Sequence, residues 1–243
     1  LPPAPFNQDP KCMARPPRYR LSGLPQLVLH RGSPGRPLFR GDQDYRFFLD
    51  SLAANSRRYR CALHAYVLMP DHVHLLLTPD IPDGVARLMQ ASGRQWSHYY
   101  KQSIQPTGRP WAGRYKSTVV EAQTWLLDCY CHIEQTPLHT GLVTTPEAYP
   151  WSSYAAHALC RPDPLILEHP VYTALAADGQ MRCMAYRKRC LSPPDETTRR
   201  QITDATNAGW ALGSEHFQQE IEKSIHRRVR PLPRGGYRGR PPG

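Results

Sequence analysis

The run CALHAYVLMPDHVHLLLT, residues 61–78, limits what this chain can fold into more than any other stretch. Residues 61–69 and 71–78 read as two apolar β-strands joined tightly at Pro70, where proline breaks the pattern. Strands this apolar belong in the interior of a sheet. Along the second, alternate side chains share a face, so His72, His74 and Leu76 point one way and Val73, Leu75 and Leu77 the other. Burying an imidazole is costly unless its nitrogens find partners. Two imidazoles side by side can hold one divalent cation, and they can also be satisfied strand histidines; the spacing alone leaves both readings open. A metal role requires a third ligand from another element.

The flanking sequence supplies the rest of a sheet. Residues 25–32 (PQLVLHRG) form a strand candidate ending at a glycine turn. Tyr45, Phe48, Leu49 and Leu52 repeat at i, i+3, i+4 and i+7, the signature of an amphipathic helix, with Asp42 as its cap. Val85, Leu88, Met89 and Trp96 mark a second helix and residues 114–121 (RYKSTVVE) a fourth strand. Residues 124–137 (TWLLDCYCHIEQTP) read as a third helix, stopped by Pro137 and Gly141. The order β-α-β-β-α-β-α predicts an α+β fold, a ferredoxin-like antiparallel sheet with helices on one face, over residues 13–154. Residues 1–12, Pro-rich and without an apolar stretch, read as a disordered leader rather than a signal peptide. Residues 155–220 read as a mostly helical C-terminal extension, with helices near 171–191 and 195–206 and another from Ser214. Residues 221–243 read as a basic disordered tail.

Lys and Arg number 31 against 20 Asp and Glu, a formal net charge of +11. That balance favours polyanionic partners over small neutral ligands, with plain solubility as the competing explanation. More than half of it lies from Ile221 onward, where seven basic residues stand against one glutamate. Such a tail gives non-specific affinity for nucleic acid. The cysteines, at 12, 61, 129, 131, 160, 183 and 190, are scattered and odd in number and include no CxxC. They imply neither a disulfide framework nor a zinc finger, and a reducing, cytoplasmic setting fits them. No run of about 18 apolar residues is present that would cross a membrane.

The stretch HAYVLMPDHVHLLLTP resembles the His-hydrophobic-His signature of single-tyrosine DNA transposases, specifically the REP-associated tyrosine transposases with their IS200-like (HUH) domain. GRPWAGRYKSTVVEAQTWLL, CYCHIEQTPLHTGLV and YPWSSY match further, in the family's order, so the resemblance covers roughly residues 13–154. ATNAGWALGSEHF, residues 205–217, looks like the C-terminal extension that some members carry. The resemblance implies binding of single-stranded DNA, often beside a hairpin. It implies Mg²⁺ or Mn²⁺ held against the scissile phosphate by the two histidines and a third polar side chain. A helix-borne tyrosine would attack phosphorus, giving a 5′-phosphotyrosine and a free 3′-hydroxyl, and reversal would join strands. The implied activity is metal-dependent strand cleavage and transfer in DNA transposition, in a bacterial, cytoplasmic protein that is a monomer or a homodimer.

The sequence departs from that family inside the site. Members read Tyr-Ile-Glu-Leu-Asn-Pro, with the tyrosine as nucleophile and the asparagine, about 40° further round the helix, as third metal ligand. Here the segment is HIEQTP, so His132 stands at the tyrosine position and Thr136 at the ligand position. Tyr130 lies two residues back, about 160° around, and groups with Leu126 and Ile133 on a core face. It is a substitute nucleophile only if that geometry fails. His132 can be read as a nucleophile giving a labile phosphoramidate, or as a third metal ligand that leaves only hydrolysis by water. Beside impaired strand transfer stand two alternatives: a non-catalytic module for repeat-derived DNA hairpins, and a metal-dependent phosphodiesterase. Arg109, Trp111, Arg114, Tyr115 and Lys116 interleave cations and rings as single-strand binding requires, and Arg227, Arg228 and Arg230 continue the basic character. Asp71 reads as a turn residue. Glu121 and Glu134 are further acids whose place relative to the site the sequence leaves open.

Overall fold

A four-stranded antiparallel sheet forms the middle of the fold: β1 (Gln26–Arg31), β2 (Cys61–Leu68), β3 (His72–Pro79) and β4 (Lys116–Val119), in spatial order β2-β3-β1-β4. The computed structural model describes residues 18–104, 107–192 and 194–231. Helix α1 (Asp42–Arg58) connects β1 to β2, and α2 (Gly84–Tyr99), continued by a wider turn over Tyr100–Ile104, connects β3 to β4. This is the ferredoxin-like arrangement that the sequence predicts. Gly41 rather than Asp42 caps α1; Asp42 sits in its first turn.

The strand register follows from which residues each face buries. Strands β1 and β3 are central and covered on both faces, so β3 is apolar without alternation. Val73, Leu75 and Leu77 pack with Phe48, Leu52 and Trp96 beneath α1 and α2. Leu76 and Leu27 pack with Ala65, Leu126 and Tyr130 on the opposite face, under α3 (Ala122–Glu134). The two crossover helices thus share one face, and α3 with the extension covers the other.

The extension comprises α4 (Thr136–His139), α5 (Tyr154–Leu159), α6 (Pro170–Thr173), α7 (Gly179–Leu191), α8 (Glu196–Ala208) and α9 (Glu215–Ile225). Asp178, Asp195 and Ser214 start α7, α8 and α9 by accepting backbone N–H bonds from the first turn, as good N-caps do. Helix α8 lies against β4, β1 and α3. The rotation of α3 is set by Glu134, completely buried, whose carboxylate accepts from Ser153 Oγ, His157 Nδ1 and Tyr186 Oη at 2.5, 2.6 and 2.7 Å. Removing any one donor leaves a buried charge short of a partner, a costly state.

Two expectations change. The segment from Ile221 is not all tail: α9 runs to Ile225, and Val229 is completely buried with Tyr19, Val119 and Ile221. Its N–H donates to Glu222 and its carbonyl accepts from Ala211. One apolar residue in a basic run, given a cluster to enter, ties the chain down. Residues 232–243 lie outside the described residues, as does the expected leader. One disulfide, Cys160–Cys183, joins the end of α5 to α7 where the scattered cysteines implied none. Among the described residues no helix is long and apolar enough to cross a membrane.

Candidate functional site at the histidine cleft

His72 and His74 stand at the start of β3 on its α3 side, with ring centroids 4.9 Å apart. His132 arrives from the last turn of α3, its ring 5.8 Å from that of His74. The paired imidazoles of β3 and a third from far along the chain are therefore neighbours. Strand pairing fixes what surrounds them: β1 places Arg31 opposite His72 and Leu29 opposite His74. Gly32 closes this end of the sheet by donating to the Asp71 carbonyl, and a Cβ there would stand 2.9 Å from that oxygen. Only glycine permits so close an approach. Thr136, one turn beyond His132, lines the same cleft, and its hydroxyl donates to the His132 carbonyl at 2.8 Å. The cleft encloses about 510 Å³, and α8 forms its far wall through Arg199, Arg200, Thr203 and Asp204.

All three imidazoles are held toward the neutral form. Burial lowers His72, and the Asp71 carboxylate, accepting from Nδ1 at 2.6 Å, offsets part of that. Burial drives His74 well below the ordinary range, helped by the nearby His72 and His132. Burial and the neighbouring His139 and Arg199 bring His132 down to about 4. Neutral imidazole is the form that binds a metal. The Asp71 bond fixes the His72 proton on Nδ1 and leaves Nε2 with its lone pair, a familiar way of orienting a ligand. Asp71, which reads as a turn residue in the sequence, thus has a second role, signalled only by its place directly before a histidine.

The donor set suits a divalent cation, but incompletely. His74 Nδ1 is buried without a hydrogen-bond partner, an orphan of the kind that a bound ion relieves. Among the described residues, no group of three or more His, Cys, Asp or Glu side chains is arranged to hold a metal ion. His72 and His74 are therefore a two-donor set whose completion needs oxygens from elsewhere.

Other candidates go elsewhere. Tyr130 is 0% exposed, packed among the rings of His157, Tyr172 and Tyr186, and burial with the Glu134 charge raises its phenol well above the ordinary value. Among the described residues no tyrosine lines the cleft. Glu134 belongs to its buried network, and Glu121 accepts from the Ser214 N–H and hydroxyl at the start of α9. Arg114, Tyr115, Lys116 and Arg227 line a second cleft beside the first. Trp111 gives one face to His30, stacked at 3.8 Å. Arg109 and Arg228 are exposed and line neither cleft, while Arg230 is paired with Glu215 and Glu222. Sequence reasoning missed Arg31, Arg199 and Arg200. The first was legible as a strand neighbour of His72; nothing local marks the two in α8.

With this geometry in view, comparison with known proteins is informative. Residues 35–131 match the family described as "Transposase IS200 like", a segment that holds the paired histidines and ends one residue before His132. The match is to this segment of the chain, which includes α1, α2, all of β2, β3 and β4 and most of α3. A solved structure of a REP-associated tyrosine transposase bound to a REP hairpin shares the fold, with a TM-score of 0.53 at 17% identity, covering 65% of this chain and 93% of that one. A solved protein from Deinococcus radiodurans R1, provisionally assigned as a transposase, is 26% identical over 46% of this chain and 91% of that one, with a TM-score of 0.35. No curated protein matches this chain.

Proposed function

We propose that this protein binds single-stranded DNA beside a hairpin, using a transposase scaffold from which phosphotyrosine strand transfer has been lost. One observation carries the reading: on α3 the residue facing the paired histidines is His132, while Tyr130 is sealed in the core. Strand transfer of the tyrosine type needs a phenol within reach of phosphorus. The DNA side of the reading rests on the net charge of +11 and on Arg31 in the cleft, which suit a phosphodiester backbone; Arg199 and Arg200 also line the cleft, each paired with Glu196. The hairpin in the structurally similar REP-associated transposase supports a hairpin as the ligand class. A cytoplasmic location, where such DNA resides, goes with this reading.

In this reading His72 and His74 hold Mg²⁺ or Mn²⁺. A bound cation would neutralise charge on the non-bridging oxygens of a phosphate lying in the cleft. Asp71 orients His72, Arg31 and the α8 arginines bind the backbone, and Thr136 offers a hydroxyl oxygen already engaged with the His132 carbonyl. Hydrolysis by water is the weaker alternative. With a pKa of about 4, His132 is a poor general base at neutral pH, since the best base titrates near the working pH.

Fluorescence anisotropy with a labelled hairpin carrying a single-stranded flank, against a plain duplex of equal length, tests the proposal. The hairpin is expected to bind at least about tenfold tighter, with log K falling against log salt by about 0.7 per phosphate contacted. Equal affinity for the two DNAs, or binding indifferent to salt, would overturn it.

A further inference from the structure

Helix α5 ends on Cys160, whose φ of 54° lies in the left-handed region where glycine is the ordinary choice. A side chain held in that conformation needs a reason. Here it is a bond to Cys183, in the second turn of α7. The two sulfurs differ in access. Cys160 is exposed, while Cys183 is buried, as are the described free thiols of Cys61, Cys129, Cys131 and Cys190. A thiol in solution therefore meets this bond at one end only. Disulfides open to solvent are the labile, regulatory kind, whereas sealed ones resist reduction.

The reduced state is provided for as well. Cys160 Sγ lies 3.5 Å from the Gly179 carbonyl and Cys183 Sγ 3.8 Å from that of Ala156. Each thiol, once formed, has an acceptor already in place. Tyr172 Oη is also 3.8 Å from Cys183 Sγ, facing the sulfur that would leave.

The bond joins residues 23 apart, and the loop between them is a strap across β2, an edge strand of the sheet. Leu167 donates its N–H to the Leu63 carbonyl at 2.8 Å, and its own carbonyl accepts from His64 Nδ1 at 2.6 Å. Asp163 accepts from Tyr66 Oη at 2.8 Å. An edge strand needs such cover, because its unpaired backbone is otherwise open to other chains. Glu168 then ties the strap to Arg182, the neighbour of Cys183, at 3.0 Å. Helix α7 is fixed independently, through Tyr186 at Glu134 and Arg189 at Asp128. Opening the bond therefore loosens the strap and leaves Cys183 where it can close again.

We propose that Cys160–Cys183 is a reversible thiol-exchange site, a latch that small-molecule thiols open at Cys160 and that releases the strap from the edge of β2. The thiolate of the small molecule attacks Cys160 Sγ, forms a mixed disulfide there and expels Cys183 as a thiolate, which takes a proton from water. A second thiol attacks the mixed disulfide at the small molecule's sulfur. The products are the small molecule's own disulfide and the Cys160 thiol. Two electrons thus pass from two thiols to the bond, and the reverse sequence, driven by the small molecule's disulfide, closes it.

The test equilibrates the full chain with oxidised glutathione, treats it with reduced glutathione without denaturant, then alkylates it and maps the peptides by mass spectrometry. Cys160 and Cys183 are expected to become alkylated together, with the mixed disulfide on Cys160 alone. Oxidised glutathione should restore the bond, and Cys61, Cys129, Cys131 and Cys190 should stay unmodified. By hydrogen exchange, the Leu167 amide is expected to exchange at least about tenfold faster in the reduced protein, since so long a loop regains its freedom. The β3 amides should keep their rates. Cys160→Ser should show the reduced rate with or without glutathione. A bond that yields only after denaturation is a sealed structural link and overturns the latch, as does a mixed disulfide on Cys183. Thiols that oxidised glutathione fails to join overturn it too. Equal Leu167 exchange in the oxidised and reduced protein overturns the release of the strap. Should Cys160→Ser misfold, the wild-type comparison between the two redox states decides alone.

Discussion

Tyr130 and His132 lie two residues apart on α3 and face opposite sides of it. Tyr130 meets His157 at 4.7 Å between ring centroids inside the core, and His132 meets His74 at 5.8 Å across the cleft. A helix turns about 200° in two residues, so no small adjustment exchanges them. Glu134 holds this rotation from the buried side, through Ser153, His157 and Tyr186.

The Tyr130 hydroxyl is buried without a hydrogen-bond partner, so Tyr130→Phe, which removes an unsatisfied polar atom, is expected to leave DNA binding unchanged and to hold or raise stability. Tyr130→Ala should cost about 3–5 kcal/mol by emptying the core. Urea unfolding beside a binding titration checks both. Loss of DNA binding in the phenylalanine variant would contradict the core assignment.

Asp71→Asn removes the carboxylate that fixes the His72 proton on Nδ1. Mn²⁺ affinity, measured by calorimetry, is expected to fall about tenfold, the lower end of what second-shell partners contribute. Unchanged affinity would mean that His72 needs no orienting partner.

His30 and His64 are buried and titrate near 4 in the fold, lowered chiefly by burial, against an ordinary value of 6.5. The unfolded chain therefore takes up protons first as pH falls. Their contribution to stability is complete above about pH 6.5 and is lost as pH descends toward 4. The slope is at most about 1.4 kcal/mol per pH unit for each histidine. Urea midpoints at pH 7, 5.5 and 4.5 should fall in that order, and a flat profile would contradict the assignment.

Much of this was legible in advance, for identifiable reasons. The β2–β3 pair announced itself because a strand covered on both faces leaves an unbroken apolar run. The histidines declared their shared face because strand periodicity is two. Helical geometry sufficed to separate Tyr130 from His132. What stayed hidden depends on contacts distant in sequence. Arg199 and Arg200 reach the cleft only because α8 packs on β1 and β4, and Glu134 reads as a possible site acid until its buried partners on α5 and α7 are seen. Val229 lies in a basic run, and one apolar residue carries no periodic signal.

Val229→Ala is expected to destabilise the protein by about 1.5–3 kcal/mol, the value of a fully buried valine side chain. Thermal or urea unfolding reads this directly. A neutral substitution would return the segment after Ile225 to the status of a tail.

The most direct test of the account is denaturing electrophoresis of 5′- and 3′-labelled hairpin DNA after incubation of the wild-type protein with Mn²⁺. The account predicts that native gels show a complex while denaturing gels return all label at full length, with none attached to protein. A labelled protein band that resists denaturation, persists in Tyr130→Phe and disappears in His132→Ala would contradict it, making His132 a nucleophile and this chain an active strand-cleaving enzyme.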